Sequence, residues 1–313
     1  MNLTDPIFTD ETKAREHFEA VRWPDGPYCP HCGETEKVYR LKGNSQRAGL
    51  LQCEGCGGAF TVTVGTVMER SHVPLTKWAF AFRMMTASKK GISAHQLHRS
   101  IGVTYKTAWF MCHRIREAMR DLMPELGTPS LGGANKVVEV DETYVGGKAR
   151  NRKAHVPPKE PVLALVERGG RVRSRHVPNV NGKTLRDVME QQIDRATYIM
   201  TDEAPVYTGI VRDFAGHGTV NHSIEEYVRA SFWHTNTAEG YFSILKRGIV
   251  GTYHHVSAGH LHRYLAEFDF RYNQRIALGV NDTERATKAI EGAGGKRLTY
   301  RQAGGRSAAV APF

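Results

Sequence analysis

The stretch Glu139-Val140-Asp141-Glu142-Thr143-Tyr144 decides how the second half of this chain is read. It lies in a β-rich run, residues 137–145. A strand disfavours carboxylates there unless they are paired or coordinate an ion, because burying one uncompensated is expensive. Side chains alternate along a strand, so Glu139 shares the face of Asp141 and Glu142 points to the opposite one. Downstream, strand patterns at residues 161–166 and 172–177 flank Gly169-Gly170 and predict a hairpin. A helix is expected at 184–195, then a short strand at 198–200 ending on Asp202. A short helix at 207–214, a strand at 219–222 and two long helices at 237–247 and 258–273 complete the pattern.

That order is three strands, helix, strand, helix, strand, helix. It is the order of an RNase H-like α/β domain with a mixed sheet, in which the first and fourth strands are neighbours. On such a fold Asp141 and Asp202 project from adjacent strand positions. Glu239, one turn into a helix opened by Thr235-Asn236, closes the site. Three carboxylates so placed suit two divalent ions clamping the attacking and leaving oxygens of a phosphodiester displacement. Oxygen ligands point to Mg²⁺, with Mn²⁺ as a substitute. Competing acids stand nearby: Glu139, Glu142 and Glu203, and Glu225 or Glu226 in place of Glu239. Lys246 lies two helical turns beyond Glu239 on the same helix face, where it can hold a DNA phosphate; a plain surface lysine is the alternative.

Upstream, Cys29-Pro30-His31-Cys32 and Cys53-Glu54-Gly55-Cys56 form two C-x2-C pairs separated by twenty residues. Such a spacing predicts a zinc ribbon, with Cys29, Cys32, Cys53 and Cys56 closing a tetrahedral thiolate shell around a structural Zn²⁺. Gly33, Gly57 and Gly58 suit the left-handed turns of the knuckles. Cys112, amid Trp109, Phe110 and Ile115, reads as an inert core thiol.

Between ribbon and sheet the periodicity is helical. Ser93 is a good N-cap, Gly102 a good C-cap, and Val103-Thr104 restart a helix that carries Lys106, Arg114 and Arg116. Two short helices about a glycine turn, the second polar and basic, fit a helix-turn-helix-like DNA-binding region; an ordinary helical hairpin with a solvated basic face is the alternative. The whole reads as a multidomain α+β chain. Residues 1–27 form a helical lead-in, 28–64 the ribbon, 74–126 the helical region, 135–275 the catalytic domain and 276–313 a loosely ordered Gly- and Ala-rich tail.

The bulk numbers agree with a polyanion-binding globular protein. Its 43 Lys and Arg against 32 Asp and Glu leave a net charge of +11 over 313 residues, which favours association with phosphates. No window approaches the length of a membrane span, and the first residues lack an apolar core of signal-peptide length. A cytoplasmic location follows, where thiols stay reduced and read as metal ligands rather than disulfides.

Longer motifs resemble a known family. The ribbon, Val64-Gly65-Thr66-Val67-Met68-Glu69, the segment ending Lys106-Thr107-Ala108-Trp109, and Val140-Asp141-Glu142-Thr143-Tyr144-Val145-Gly146-Gly147-Lys148 are similar to bacterial insertion-sequence transposases of the zinc-ribbon, ISXO-like DDE type. So are Thr201-Asp202-Glu203, the run from His234 through Asn236 and Glu239 to Gly248, Gly251 to Ser257, and Glu267 to Asn273. The likeness covers about residues 15 to 275. It implies a DDE transposase that binds the terminal inverted repeats of its element, cleaves there and joins the 3′-OH ends to target DNA. The catalytic positions then fall on Asp141, Asp202 and Glu239 or Asn236, with Lys246 following. Glu239 is preferred because an anionic oxygen binds Mg²⁺ better than an amide. Lys106, Arg114, Arg116, Lys246 and Arg247 are the DNA-contact candidates, and His254 and His255 are candidates for DNA or metal-water contact or for loop packing. The resemblance also implies double-stranded DNA as partner, a homodimer or larger assembly on it, and association with the bacterial nucleoid. The rivals are a zinc-ribbon transcription regulator with an inactive catalytic domain, and a nuclease without strand transfer.

Overall fold

The computed structural model describes residues 4–43, 46–121, 131–146, 159–202, 204–207, 209–220 and 234–299. Helix α1 (Glu11–Arg22) starts at Asp10, whose carboxylate accepts from the backbone N–H groups of Thr12 and Lys13. Strands β1 (Val38–Arg40), β2 (Leu51–Cys53) and β3 (Ala59–Phe60) pair antiparallel in that order and bring the two cysteine knuckles together. Helices α2 (Leu75–Ala87), α3 (Ala94–Ile101) and α4 (Tyr105–Met119) follow. Glu11 of α1 reaches over to accept from Leu75 and Thr76, so one carboxylate satisfies two free donors at the start of α2.

These elements do not close as separate domains. Phe18 and Trp23 of the lead-in, Leu51 and Phe60 of the ribbon, and Trp78, Phe82, Leu97 and Ile115 of the helices share one apolar core. A short cysteine-knuckle ribbon buries little apolar surface alone, and merging it with three helices supplies the missing area.

The expected loose tail is corrected over its described part. A helix, α8 (Asp282–Glu291), opens with a capping box between Asn281 and Glu284. Ala289, Ile290 and Ala293 enter the N-terminal core. The alanines and glycines that suggested looseness are what let backbones approach: a Cβ on Gly292 would stand 2.4 Å from the carbonyl of Ala118. Beyond α8 the chain pairs with the 65–67 turn, Val67 donating to Ala293 and Gly295 to Gly65.

The second half holds a mixed five-stranded sheet of β4 (Val137–Val145), β5 (Glu160–Glu167), β6 (Val172–His176), β7 (Tyr198–Asp202) and β8 (Gly216–Val220), in the order β6-β5-β4-β7-β8. β5 runs antiparallel to both of its neighbours, β4 and β6, while β7 joins parallel to β4 and β8 parallel to β7. The predicted adjacency of first and fourth strands is present. Helix α5 (Gly182–Gln192) covers one face with Leu185 and Met189 against Val138, Val140, Leu163 and Leu165. Helices α6 (Asn236–Gly248) and α7 (Ala258–Asn273) cover the other, with Tyr241, Leu245 and Leu265 against Val145, Val162 and Ala164. The short helix expected at 207–214 is instead two 3-10 turns, Pro205–Tyr207 and Val211–Asp213. Side chains of α7 seal the outer edge of the sheet: Asn273 bonds both backbone groups of Val172, and Asp269 accepts from the N–H of Ser174. No helix among the described residues is long and apolar enough to cross a membrane.

Candidate active site

Parallel pairing of β4 and β7 sets Glu139 beside Met200. Two residues further along both strands stand Asp141 and Asp202, level with each other and on the face covered by α6. Glu239 lies in the first turn of α6. Burial raises the Asp141 carboxyl to about 7, and the charges of Glu142, Asp202 and Glu239 add to the rise, outweighing a bond from the backbone of Glu142. The four acids therefore share one electrostatic neighbourhood with no cation among the causes of that shift. Glu142, on the α5 side as its alternation requires, takes a hydrogen bond from the Tyr207 hydroxyl. Its own titration is also raised, by burial first and by Asp202. Gathered anions of this kind are stabilised by a hard divalent cation, and an all-oxygen donor set matches that chemistry.

What holds α6 against the sheet is Glu139, fully buried on the Asp141 face. Thr235, at the N-cap, offers no side-chain cap. Glu139 does so from a strand nearly a hundred residues earlier, accepting from the N–H groups of Thr237 at 2.8 Å and Ala238 at 2.9 Å and from the Thr237 hydroxyl. Arg168 bonds the same carboxylate at 2.6 Å and the carbonyl of His234. An anion at a helix N-terminus meets both the free donors and the helix dipole. Sequence reasoning saw Glu139 only as a competitor of Asp141. Its face-sharing position was the available signal, and its partners lie too far along the chain for any local pattern to name.

At the ribbon, the four sulfurs of Cys29, Cys32, Cys53 and Cys56 all lie within 4.8 Å of one another. Cys29 to Cys56 and Cys32 to Cys53 are each 3.6 Å. A tetrahedral Zn²⁺ with Zn–S near 2.3 Å requires sulfurs about 3.8 Å apart, so these residues fit the ion. Left-handed Gly33 and Gly57 turn the two knuckles. Among the described residues this is the one group whose ligand atoms converge so tightly; Asp141, Asp202 and Glu239 do not form such a group.

Comparison with known proteins agrees with this arrangement. A family model described as ISXO2-like transposase domain matches residues 131–273, and one described as transposase zinc-ribbon domain matches residues 9–58. A protein of Halobacterium salinarum, described as an uncharacterized protein in transposable element ISH50, is 30% identical over 284 residues. The match spans 84% of this chain and 91% of that protein. The chain belongs to this family of insertion-sequence transposases. The zinc-ribbon match begins just before α1, in keeping with a lead-in helix that shares the ribbon's core.

Of the candidate DNA contacts in this transposase, Lys106 is exposed in the first turn of α4, and Lys246 and Arg247 are exposed in the last turn of α6. Arg116 is corrected. Its side chain is 2% exposed and bonds Glu267 of α7 at 2.6 Å, so it cannot reach DNA. Arg114 is corrected in part: half-buried, it donates to the carbonyl of Glu69 and lies over the Phe110 ring. Cys112 is fully buried, and burial pushes its thiol up to about 11, as an inert core thiol requires. His254 is exposed and bonds back to the Val250 carbonyl. Glu203, Glu225, Glu226 and Lys148 lie outside the described residues.

Proposed function

We propose that this chain is a DNA transposase with an RNase H-like catalytic domain, which binds the terminal inverted repeats of its insertion sequence, cleaves phosphodiesters there and joins the 3′-OH ends to target DNA. The observation that carries the reading is the acidic neighbourhood of Asp141, Asp202 and Glu239, formed by adjacent parallel strands and the first turn of α6. Asp141, Asp202 and Glu239 would hold divalent cations, Mg²⁺ or in its place Mn²⁺. Bound there, such ions would supply a stronger nucleophile at neutral pH and neutralise charge developing on the phosphodiester. Glu239 is preferred to Asn236 as third ligand because its charge raises the Asp141 titration, and a neutral amide has none to give.

The remaining groups position DNA. Lys246, about 10 Å along α6 from Glu239, would fix a phosphate beside the acids, with Arg247 next to it. The turn at Gly102, left-handed with φ 62°, joins α3 to α4 as a helix-turn-helix does, and presents Lys106 and the His95–Tyr105 stack on one exposed end. The ribbon would brace this region rather than react, because four thiolates leave no open position on zinc. Two ends must be brought together, so the working unit is at least a homodimer on DNA.

The test is an end-cleavage assay with Mg²⁺ on a labelled duplex carrying the element's terminus, comparing wild type with Asp141→Asn. The variant is expected to bind the end normally and to lose cleavage by a thousandfold or more, on the order of the loss when one member of a catalytic unit is removed. Retained cleavage would overturn the assignment. Joining of labelled ends to an unlabelled target distinguishes a transposase from a plain nuclease.

A further inference from the structure

An open groove of about 930 Å³ runs between the N-terminal core and the outer edge of the sheet. One bank carries Arg171, Arg173 and Arg175 from β6 and the turn before it; the other carries Arg120 after α4, Lys288 of α8 and Lys296. Three acids also line it, Asp121, Asp269 and Glu291. Of these Asp269 is turned inward and taken up by Ser174 and Tyr241. Arg120 is paired with Glu117, so the excess of cations lies on the β6 bank. Arg171 is exposed and Arg175 half-buried, and neither side chain has an ion pair or hydrogen bond among the described residues. Arginines at every second strand residue recur about every 6.6 Å, of the order of the separation between neighbouring phosphates on one DNA strand.

We propose that this groove is a second DNA-binding surface, which grips the sugar-phosphate backbone of a duplex without reading its bases. Guanidinium groups present forked donors that match phosphate oxygens. Phe270 is the one phenylalanine, tyrosine or tryptophan on the lining, beside the imidazoles of His176 and His262, so the groove offers charge more than a stacking platform for splayed single-stranded bases. It is distinct from the helix-turn-helix end. Lys106 and the groove residue Arg120 sit at opposite ends of α4, about 21 Å apart along the helix. It is distinct from the acidic site as well: Arg173 and Arg175 pair in register with Leu165 and Leu163, and Arg173 bonds Gln192 of α5, so these arginines lie on the α5 face of the sheet edge, opposite the face of Asp141. The inference rests on the reading of the chain as a DNA transposase. The duplex has two sources, the sequence flanking the element end and the target.

The test measures affinity of the full chain for a fluorescent duplex by anisotropy between 50 and 200 mM KCl, with the end duplex and an unrelated duplex in separate arms. Removing two phosphate contacts with Arg171→Gln/Arg175→Gln should lower the slope of log K against log salt by about 1.8, so that the fourfold rise in salt costs the variant about 12-fold less than wild type. Arg171→Lys/Arg175→Lys should keep the wild-type slope. So should Lys183→Gln/Arg212→Gln, which removes the same net charge from exposed positions elsewhere. A thermal melt matching wild type shows that the glutamine variant is folded. A change confined to the end duplex assigns the groove to flanking DNA, and one confined to the unrelated duplex assigns it to target; both support the proposal. An unchanged slope on both duplexes, or an equal change in the control pair, overturns it. Wild-type failure to cleave the end, with the slope change intact, would sink the transposase reading and leave the groove standing.

Discussion

Cutting the buried charge cluster that joins the two cores should cost more from the anionic side than from either cationic one. Arg116 of α4, Glu267 of α7 and Arg271 of α7 are respectively 2%, 0% and 6% exposed. Glu267 bonds Arg116 at 2.6 Å, Arg271, and the Tyr253 hydroxyl at 2.7 Å. Arg116 also stacks over Tyr264 at 3.9 Å. The backbone is shaped around this cluster: a Cβ on Gly91, which has φ +85°, would stand 1.8 Å from the Tyr253 hydroxyl and 2.9 Å from Glu267. Breaking one partner of a buried pair typically costs about 3–5 kcal/mol. Arg116→Leu leaves Glu267 still paired with Arg271 and Tyr253, so the lower end applies, about 3 kcal/mol. Glu267→Gln strands two guanidinium groups together, so the upper end applies, about 5 kcal/mol. Urea unfolding of the full chain, followed by tryptophan fluorescence, reads both. Burial pushes the Glu267 carboxyl up, but Arg271 and Arg116 outweigh it and hold it below the usual range. A carboxyl so lowered stabilises the fold above its unfolded pKa, near 4.3. That stability is lost as pH falls through the lower folded value, and Glu267→Gln should lack this acid-side loss. Equal cost of the two variants, or a loss under about 1 kcal/mol for Arg116→Leu, would refute the account.

Two further expectations rest on the same structure. Glu139→Gln keeps the shape of the side chain but weakens the bonds to Thr237, Ala238 and Arg168, so α6 should lose its registration against β4. Cleavage should fall at least tenfold while binding of the end duplex is kept, and a variant that cleaves at the wild-type rate would show that Glu139 does not position Glu239. Removing zinc with a chelator should unfold the lead-in helix together with the ribbon, because Cys29 and Cys53 sit in the same core as Phe18 and Trp78. Circular dichroism and native hydrogen exchange would register this, and protection of α1 and α2 unchanged by zinc loss would contradict it.

Local chemistry made much of the molecule legible. The C-x2-C pairs needed only short turns to become a ligand set. The strand and helix periods of residues 137–273 were strong because each element has one buried face. Alternation along β4 correctly placed Glu139 and Asp141 on one side and Glu142 on the other. The motif carrying Arg116 misled, because a basic residue on an amphipathic helix looks the same whether it meets water, phosphate or a buried carboxylate.

The amino-acid order alone determined most of the elements, the converging cysteines and the family, and it named Asp141 and Asp202 as candidates, since each depends on residues close together or on motifs that read in line. Only the tertiary structure decided what those elements were held by. It joined ribbon, helices and α8 into one core, gave Arg116 to Glu267 across 151 residues, and set Glu139 under the first turn of α6. The physical reason is common to all three. Burial and ion pairing are set by which surfaces meet in space, and no periodicity along the chain records the partner.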